Sequence, residues 1–196
     1  MLHISKGNPW VFWPNHICDT FPINPANKML RGDKNFTLTL DVTVNKVKDE
    51  IGTIMTLLPR YTAIDIYKGR LLFTITKEDE QAKYFDLPVT LYDGIDLKIQ
   101  WKHITREYFA VFINREKVLE VPLKDMGFGI AENPHMIFGA GNFPKNGFNL
   151  NYTDITLHYF TIDDAHEKTL CQHKFKKFIF DKSFDLTDNC NFIHKI

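Results

Sequence analysis

The sequence has little that would place it in a membrane or mark it for export. No apolar run approaches the roughly 18 residues that a membrane-spanning helix requires. The first residues, MLHISKGNPWVFW, lack the apolar stretch of a secretory signal peptide. We therefore predict neither a membrane span nor a signal peptide in this chain, and the sequence leaves its localisation open.

Two further absences concern charge and cysteine. Because 24 Lys and Arg balance 24 Asp and Glu, the formal net charge is zero. Proteins that bind nucleic acid normally carry a basic excess or a basic stripe, so we do not expect nucleic acid as a partner. The three cysteines, Cys18, Cys171 and Cys190, include no C-x-x-C pair. Their odd number favours free thiols, and a Cys171–Cys190 bridge stays open.

What the sequence does contain is apolar residues in short alternating runs. Hydrophobic residues make up 44% of the chain and 17 residues are phenylalanine, which suits the wide space between two packed sheets. From Phe36 to Val44 apolar residues alternate with Thr and Asp, the pattern of a half-buried strand. Similar runs recur between polar turns, with hardly any helical pattern. We therefore predict an all-β jelly-roll sandwich of two antiparallel sheets.

The stretch from Ile99 to Leu123 has the plainest strand pattern. It predicts two strands joined by a tight turn at Asn114–Lys117. We expect Trp101, which leads into the stretch, to lie in the core. Nearby, Gly69 predicts a tight hairpin, and Pro88 predicts an edge strand or a bulge.

Three segments are expected along the chain. Residues 1–35 contain four prolines that interrupt regular structure, which predicts an extended N-terminal arm packed on the sandwich. Residues 36–162 form the sandwich itself. Residues 163–196 are a C-terminal appendage of helix and strand, or the beginning of a following module. The run from Asp164 to Glu167 fits a capping box and predicts a short helix from about Ala165 to Gln172.

Four pieces of the chain carry a resemblance to a known fold family. They are FTLTLDVTV at 36–44, WKHIT at 101–105, YFAVFINREK at 108–117 and YTDITL at 152–157. In this order they resemble the concanavalin A-like lectin/glucanase superfamily, and within it the laminin-G-like modules. The resemblance implies a jelly roll that binds glycans or proteins through its loops and concave face. One departure is Arg115, which stands where these modules usually have glycine.

A glycan site needs aromatic faces for stacking and polar side chains that hydrogen-bond to hydroxyl groups. The candidates of these types are Arg60, Tyr61, Tyr67, Asn142, Lys145 and Asn146. We favour the polar loop from Gly141 to Gly147 as the main contact. Two alternatives stay open: the tyrosines pack against neighbouring strands, and the loop is a plain connector.

The resemblance also implies a structural calcium ion. Asp154 matches the closing-strand aspartate that helps to hold a cation in several members of the superfamily. Gly32 or Asp33 would supply the second contact, through oxygen atoms of the kind that calcium prefers. The alternative is that Asp154 only hydrogen-bonds a turn.

The remaining question from the sequence is whether the chain is an enzyme. A glycoside hydrolase of this superfamily would carry carboxylates at alternate positions of one strand, and no E-x-D-x-E run occurs. The run from Ile137 to Phe143 resembles a lyase motif but lacks its Tyr and Lys. We predict a non-catalytic carbohydrate-binding, lectin-like module of a larger glycan-related protein, with a glycan or glycoconjugate as partner. The alternatives are a laminin-G-like module for protein interaction or structure, without a sugar site, and a polysaccharide hydrolase or lyase.

Overall fold

The computed structural model describes residues 1–4, 10–12, 34–47, 51–58, 62–76, 82–122, 135–139 and 153–174. These ranges contain strands and turns but no helix, and so no helix that is long and apolar enough to cross a membrane. The strands are β1 Leu2–Ile4, β2 Trp10–Phe12, β3 Phe36–Lys46, β4 Ile51–Leu58, β5 Thr62–Tyr67, β6 Arg70–Thr76, β7 Ala82–Thr90, β8 Ile95–Ile104, β9 Tyr108–Ile113, β10 Glu116–Pro122, β11 His135–Phe138, β12 Asp154–Asp164 and β13 Thr169–Lys174.

The strands form two antiparallel sheets. One sheet has seven strands in the order β1-β12-β3-β8-β9-β10, with β13 also paired to β12, and the other has six strands in the order β2-β11-β4-β5-β6-β7. Strand β3 pairs along the whole of β12, so β1 and β13 share the opposite edge of β12. The predicted all-β jelly-roll sandwich is confirmed.

The core lies between the two sheets and is rich in aromatic rings. Alternation along β3 buries one of its faces, as the sequence predicts. Trp101 is 1% exposed, with its ring centroid 6.0 Å from that of Phe36 and 5.4 Å from that of Phe73 on the opposite sheet. Phe73 in turn lies 4.9 Å from Phe109. The predicted core position of Trp101 is confirmed, and its ring joins the two sheets.

The stretch from Ile99 to Leu123 holds parts of three strands rather than two. A turn at Thr105–Glu107 separates β8 from β9, and a second turn joins β9 to β10. In the second turn Asn114 and Arg115 both have positive φ, 51° and 76°, the geometry of a two-residue hairpin turn. Asn114 fixes this turn, since its N–H donates to the carbonyl of Lys98 and its Oδ1 accepts from the Lys98 N–H. Arg115 therefore adopts a backbone conformation that usually favours glycine.

Strands from the first residues of the chain complete both sheets. β1 pairs with β12 and β2 pairs with β11, so these parts of the predicted arm are sheet strands. Gly139, at the end of β11, has φ of 78°. A Cβ atom on this glycine would lie 2.3 Å from Cγ2 of the fully buried Ile4. The missing side chain of Gly139 lets β1 of one sheet pack closely against the end of β11 in the other.

The predicted short helix after β12 is wrong. The Asp164 carboxylate does accept the His166 N–H, as a helix-capping aspartate would, but it also accepts the N–H of Lys168, which lies one residue beyond the positions that a cap reaches. However, Glu167 has φ of 59°, and the Asp164 N–H donates to the carbonyl of Lys168, which turns the chain back. Residues Thr169–Lys174 then pair with β12 as β13, because a sheet edge was free there. The predicted domain boundaries at 35 and 163 stay predictions.

Candidate functional site

A regular array of side chains covers the outer face of the six-stranded sheet. Successive residues of a strand point to opposite faces, so every second residue of β4 to β7 turns away from the core. The cross-strand register arranges these residues in three rows: Ile51, Tyr67, Arg70 and Thr90; Thr53, Asp65, Leu72 and Asp86; and Thr56, Ala63, Thr74 and Tyr84.

The tight turn between β5 and β6 sets the end of this array. Lys68 and Gly69 have φ of 49° and 74°, which matches a two-residue hairpin turn and confirms the predicted hairpin at Gly69. The turn places Tyr67 and Arg70 directly opposite each other. A phenol ring and a guanidinium group thus stand side by side on a rigid hairpin.

A bulge shapes the neighbouring edge strand. Arg70 pairs with Thr90 but Leu71 pairs with Leu87, so β7 carries extra residues around Pro88. β7 is also the last strand of its sheet. Proline cannot donate to a ladder and is found at such places, and the prediction for Pro88 is confirmed. Bulges increase the local twist of a strand, which curves this edge.

The array lines a cavity of about 450 Å³, and binding sites for small molecules typically measure about 300–1,000 Å³. The floor is formed by Asp65 and Leu72, which are 2% and 8% exposed. The rim is formed by side chains that are half-buried or exposed: Ile51, Tyr67, Arg70, Tyr84 and Asp86. We refer to these seven residues as the Tyr67–Tyr84 pocket.

The Asp65 carboxylate at the floor is held by two buried threonines. Its Oδ1 accepts from the hydroxyl of Thr53 at 2.7 Å, and its Oδ2 accepts from the hydroxyl of Thr74 at 2.6 Å. These three residues come from β4, β5 and β6, and the sheet register brings them together. Hydrogen bonds to a charged group are stronger than neutral ones, so the floor of the pocket has a fixed geometry.

The rim carries an ion pair and two aromatic rings. Arg70 Nη1 lies 2.9 Å from Asp86 Oδ2, and both side chains are more than half exposed. The ammonium group of Lys68 lies 5.2 Å from the centre of the Tyr67 ring and covers one of its faces. Tyr84 is 55% exposed, so it offers the more accessible ring.

This combination of groups suits a polar, ring-shaped ligand. An aromatic face packs against the C–H groups of such a ligand, while the guanidinium donates and the carboxylate of Asp86 accepts hydrogen bonds. Concave sites of this kind typically join an apolar surface to a few precisely placed polar groups. The strands hold the rings and the charged groups in place, so little order has to be created on binding.

The structure places only part of the predicted glycan site. Tyr67 lies in the pocket, and its role as a glycan contact stays a prediction. The other predicted contacts lie outside the described residues and stay predictions: Arg60, Tyr61, Asn142, Lys145 and Asn146. Sequence reasoning missed Arg70, Tyr84 and Asp86. The signal that could have found Arg70 is the period-two alternation on both sides of Gly69, whereas placing Tyr84 and Asp86 on the same face requires the register of β7.

The environment of Asp154 bears on the predicted calcium ion. Asp154 Oδ1 accepts from Nδ2 of Asn45 at 2.9 Å and lies 3.5 Å from Nε2 of His3. This oxygen faces nitrogen donors, which does not fit a ligand of calcium. Within the described part of the chain, no three His, Cys, Asp or Glu residues are grouped to hold a metal. Gly32 lies outside it, and the calcium ion stays a prediction.

By sequence, the chain matches no family model and no curated protein. By structure, its fold is similar to that of laminin LG domains. It matches domains LG4–5 of the mouse laminin α1 chain with a TM-score of 0.57 and 11% identity, over 85% of this chain and 42% of that one.

Binding domains of a bacterial toxin share the same fold. The binding domain of botulinum neurotoxin serotype D matches with a TM-score of 0.57 and 14% identity, over 86% of this chain and 39% of that one. A second structure, the ligand-binding domain of this toxin in complex with N-acetylneuraminic acid, matches with a TM-score of 0.55 and 14% identity, over 85% and 38%. This chain spans about two-fifths of the length of these structures, and at such low identity the likeness establishes the fold.

Proposed function

We propose that this chain is a non-catalytic carbohydrate-binding module of a larger glycan-related protein, and that the Tyr67–Tyr84 pocket is its binding site. The observation that carries the proposal is the pocket itself. On one rigid sheet face it joins the exposed ring of Tyr84 to the donor and acceptor groups of Arg70 and Asp86. Aromatic stacking and hydrogen bonding to hydroxyl groups are the two interactions that a saccharide offers.

Two further observations support a binding role. One structure that shares this fold over 38% of its length is a ligand-binding domain in complex with N-acetylneuraminic acid, a sugar. In addition, both carboxylates of the pocket are already engaged, Asp65 by two threonine hydroxyls and Asp86 by Arg70. Hydrolysis would instead require one carboxyl group to donate a proton and another to attack or to activate water.

The test is a glycan array followed by titration calorimetry on any glycan that binds. Tyr84→Ala should weaken binding by about two- to tenfold, because aromatic stacking contributes roughly 0.5–1.5 kcal/mol. Tyr92→Ala is the matched control, since Tyr92 is 62% exposed and lies outside the pocket. Unchanged affinity in the Tyr84 variant would contradict the assignment of the pocket.

The predicted loop provides a rival site that the same experiment can examine. If glycan binding is lost on changing Asn142 and Asn146 to Ala but survives Tyr84→Ala, the site lies in the loop and the pocket proposal fails.

A module for protein interaction is the second candidate function. The rim of the pocket exposes apolar surface at Ile51, which is 38% exposed, and at Tyr84, which is 55% exposed. Apolar and aromatic side chains of this kind are enriched where proteins bind one another. If no glycan on a broad array bound the protein, this candidate would be favoured over the first.

A further inference from the structure

The charges around the Tyr67–Tyr84 pocket indicate which kind of saccharide it would accept. Among the described residues, its lining contains two carboxylates, Asp65 and Asp86, and one guanidinium, Arg70. The neighbouring Lys68 is not among these lining residues and lies over the ring of Tyr67. The described lining residues therefore carry no surplus of positive charge for an anionic ligand.

The single guanidinium of the lining is already paired. Arg70 Nη1 lies 2.9 Å from Asp86 Oδ2. A sugar carboxylate would have to compete with Asp86 for this group and would bring like charges close together, which is unfavourable.

A neutral sugar meets no such competition. Each hydroxyl group both donates and accepts hydrogen bonds. Of two neighbouring hydroxyls, one can accept from Arg70 while the other donates to Asp86, and the ion pair stays intact. The adjacent Tyr84 ring then provides the surface on which the C–H face of the sugar ring packs.

We propose that the Tyr67–Tyr84 pocket selects neutral hexopyranoses with a vicinal diol, and discriminates against sugars that carry a carboxylate. This inference rests on the proposed carbohydrate-binding function. It assigns Asp86 a second task beside hydrogen bonding, namely the exclusion of acidic sugars.

The test compares neutral sugars with acidic counterparts. The probes are the methyl glycosides of glucose, galactose and mannose, each paired with its uronic-acid counterpart, and lactose paired with 3′-sialyllactose. Affinities are measured by calorimetry with the full chain. At least one neutral probe should bind about tenfold more tightly than its acidic partner, the size expected for one unfavourable charge contact. Because a neutral ligand releases no ions, its affinity should also be insensitive to salt.

The decisive variant is Asp86→Asn, which removes a charge from an exposed position and keeps the size of the side chain. It frees Arg70, so the preference for the neutral member of each pair should fall by about tenfold or reverse. The matched control is Glu120→Gln, which removes the partner of Lys117 in another exposed ion pair, on β10 of the other sheet, and should change nothing. Thermal melting of each variant checks that it is folded.

The outcomes separate this inference from the proposed function. If acidic probes bind as tightly as neutral ones and Tyr84→Ala abolishes both, the pocket binds sugars but the selectivity is wrong. An Asp86→Asn variant with an unchanged preference would also overturn the role of Asp86. If no saccharide binds in a manner that depends on Tyr84, the proposed function and this inference both fail.

Discussion

Replacing Trp101 by alanine should remove the ring that joins the two sheets. A buried tryptophan takes roughly 150–250 Å² out of water, and at about 25 cal/mol/Å² this is worth roughly 4–6 kcal/mol. Alanine keeps part of that area but leaves a cavity between Phe36 and Phe73. We expect the free energy of unfolding to fall by about 4 kcal/mol, within the usual range of roughly 3–5 kcal/mol for such truncations.

Urea denaturation, monitored by the circular dichroism of the backbone, measures this change, because this signal does not depend on the tryptophan that is replaced. With an m value of about 2.5 kcal/mol/M, the midpoint should fall by about 1.6 M. Trp101→Phe keeps a ring in the cluster and should lose about half as much. Tyr92→Ala removes an aromatic ring that is 62% exposed and should leave the midpoint nearly unchanged. If Trp101→Ala shifted the midpoint no more than Tyr92→Ala does, the core position of Trp101 would be refuted.

Two further predictions concern backbone turns and close contacts. Gly139→Ala should lower the free energy of unfolding by about 2–4 kcal/mol, because alanine is strained at positive φ and its Cβ would overlap Ile4. Urea denaturation measures the loss. If the new Cβ overlaps Ile4, the Gly139→Ala, Ile4→Ala double variant should lose less stability than the sum of the two single variants. The N–H groups of the β12–β13 turn, Lys168 foremost, hold the pKa of Asp164 below its ordinary value. The Asp164 carboxylate should therefore stabilise the turn at neutral pH and lose this effect as the pH falls through the lowered pKa. Hydrogen exchange at the Lys168 amide measures the stability of the turn. If the exchange rate, corrected for its intrinsic pH dependence, did not change over this pH range, the prediction would be contradicted.

Much of the fold could be predicted from the sequence, since burial on one face of a strand leaves a period-two pattern. The run from Phe36 to Val44 has one buried face, and its alternation of apolar and polar residues predicts the strand clearly. Asp164 shows where the approach fails. Its carboxylate accepts the His166 N–H in this turn as it would in a helix cap, so the local signal is similar. The free edge of β12 decides between them, and that edge is a property of the whole sheet.

The candidate site was harder to predict for a related reason. Tyr67 was among the predicted contacts because it is an aromatic residue beside a turn, a residue type that can stack on a sugar. Three residues were not predicted, because only the register of β5, β6 and β7 brings them together on one face: Arg70, Tyr84 and Asp86. The bulge at Pro88 adds to the difficulty, since it changes which residues of β7 stand opposite β6.

The pairing of β1 with β12 also bears on how the chain is made. During synthesis Leu2 emerges long before Leu157, its partner in the sheet. At about 5–20 residues per second, the ribosome takes roughly 8–30 s to cover that interval. For all of this time the first strand has no sheet to join, because β12 does not yet exist. β1 therefore remains accessible to chaperones and proteases until β12 has been synthesised.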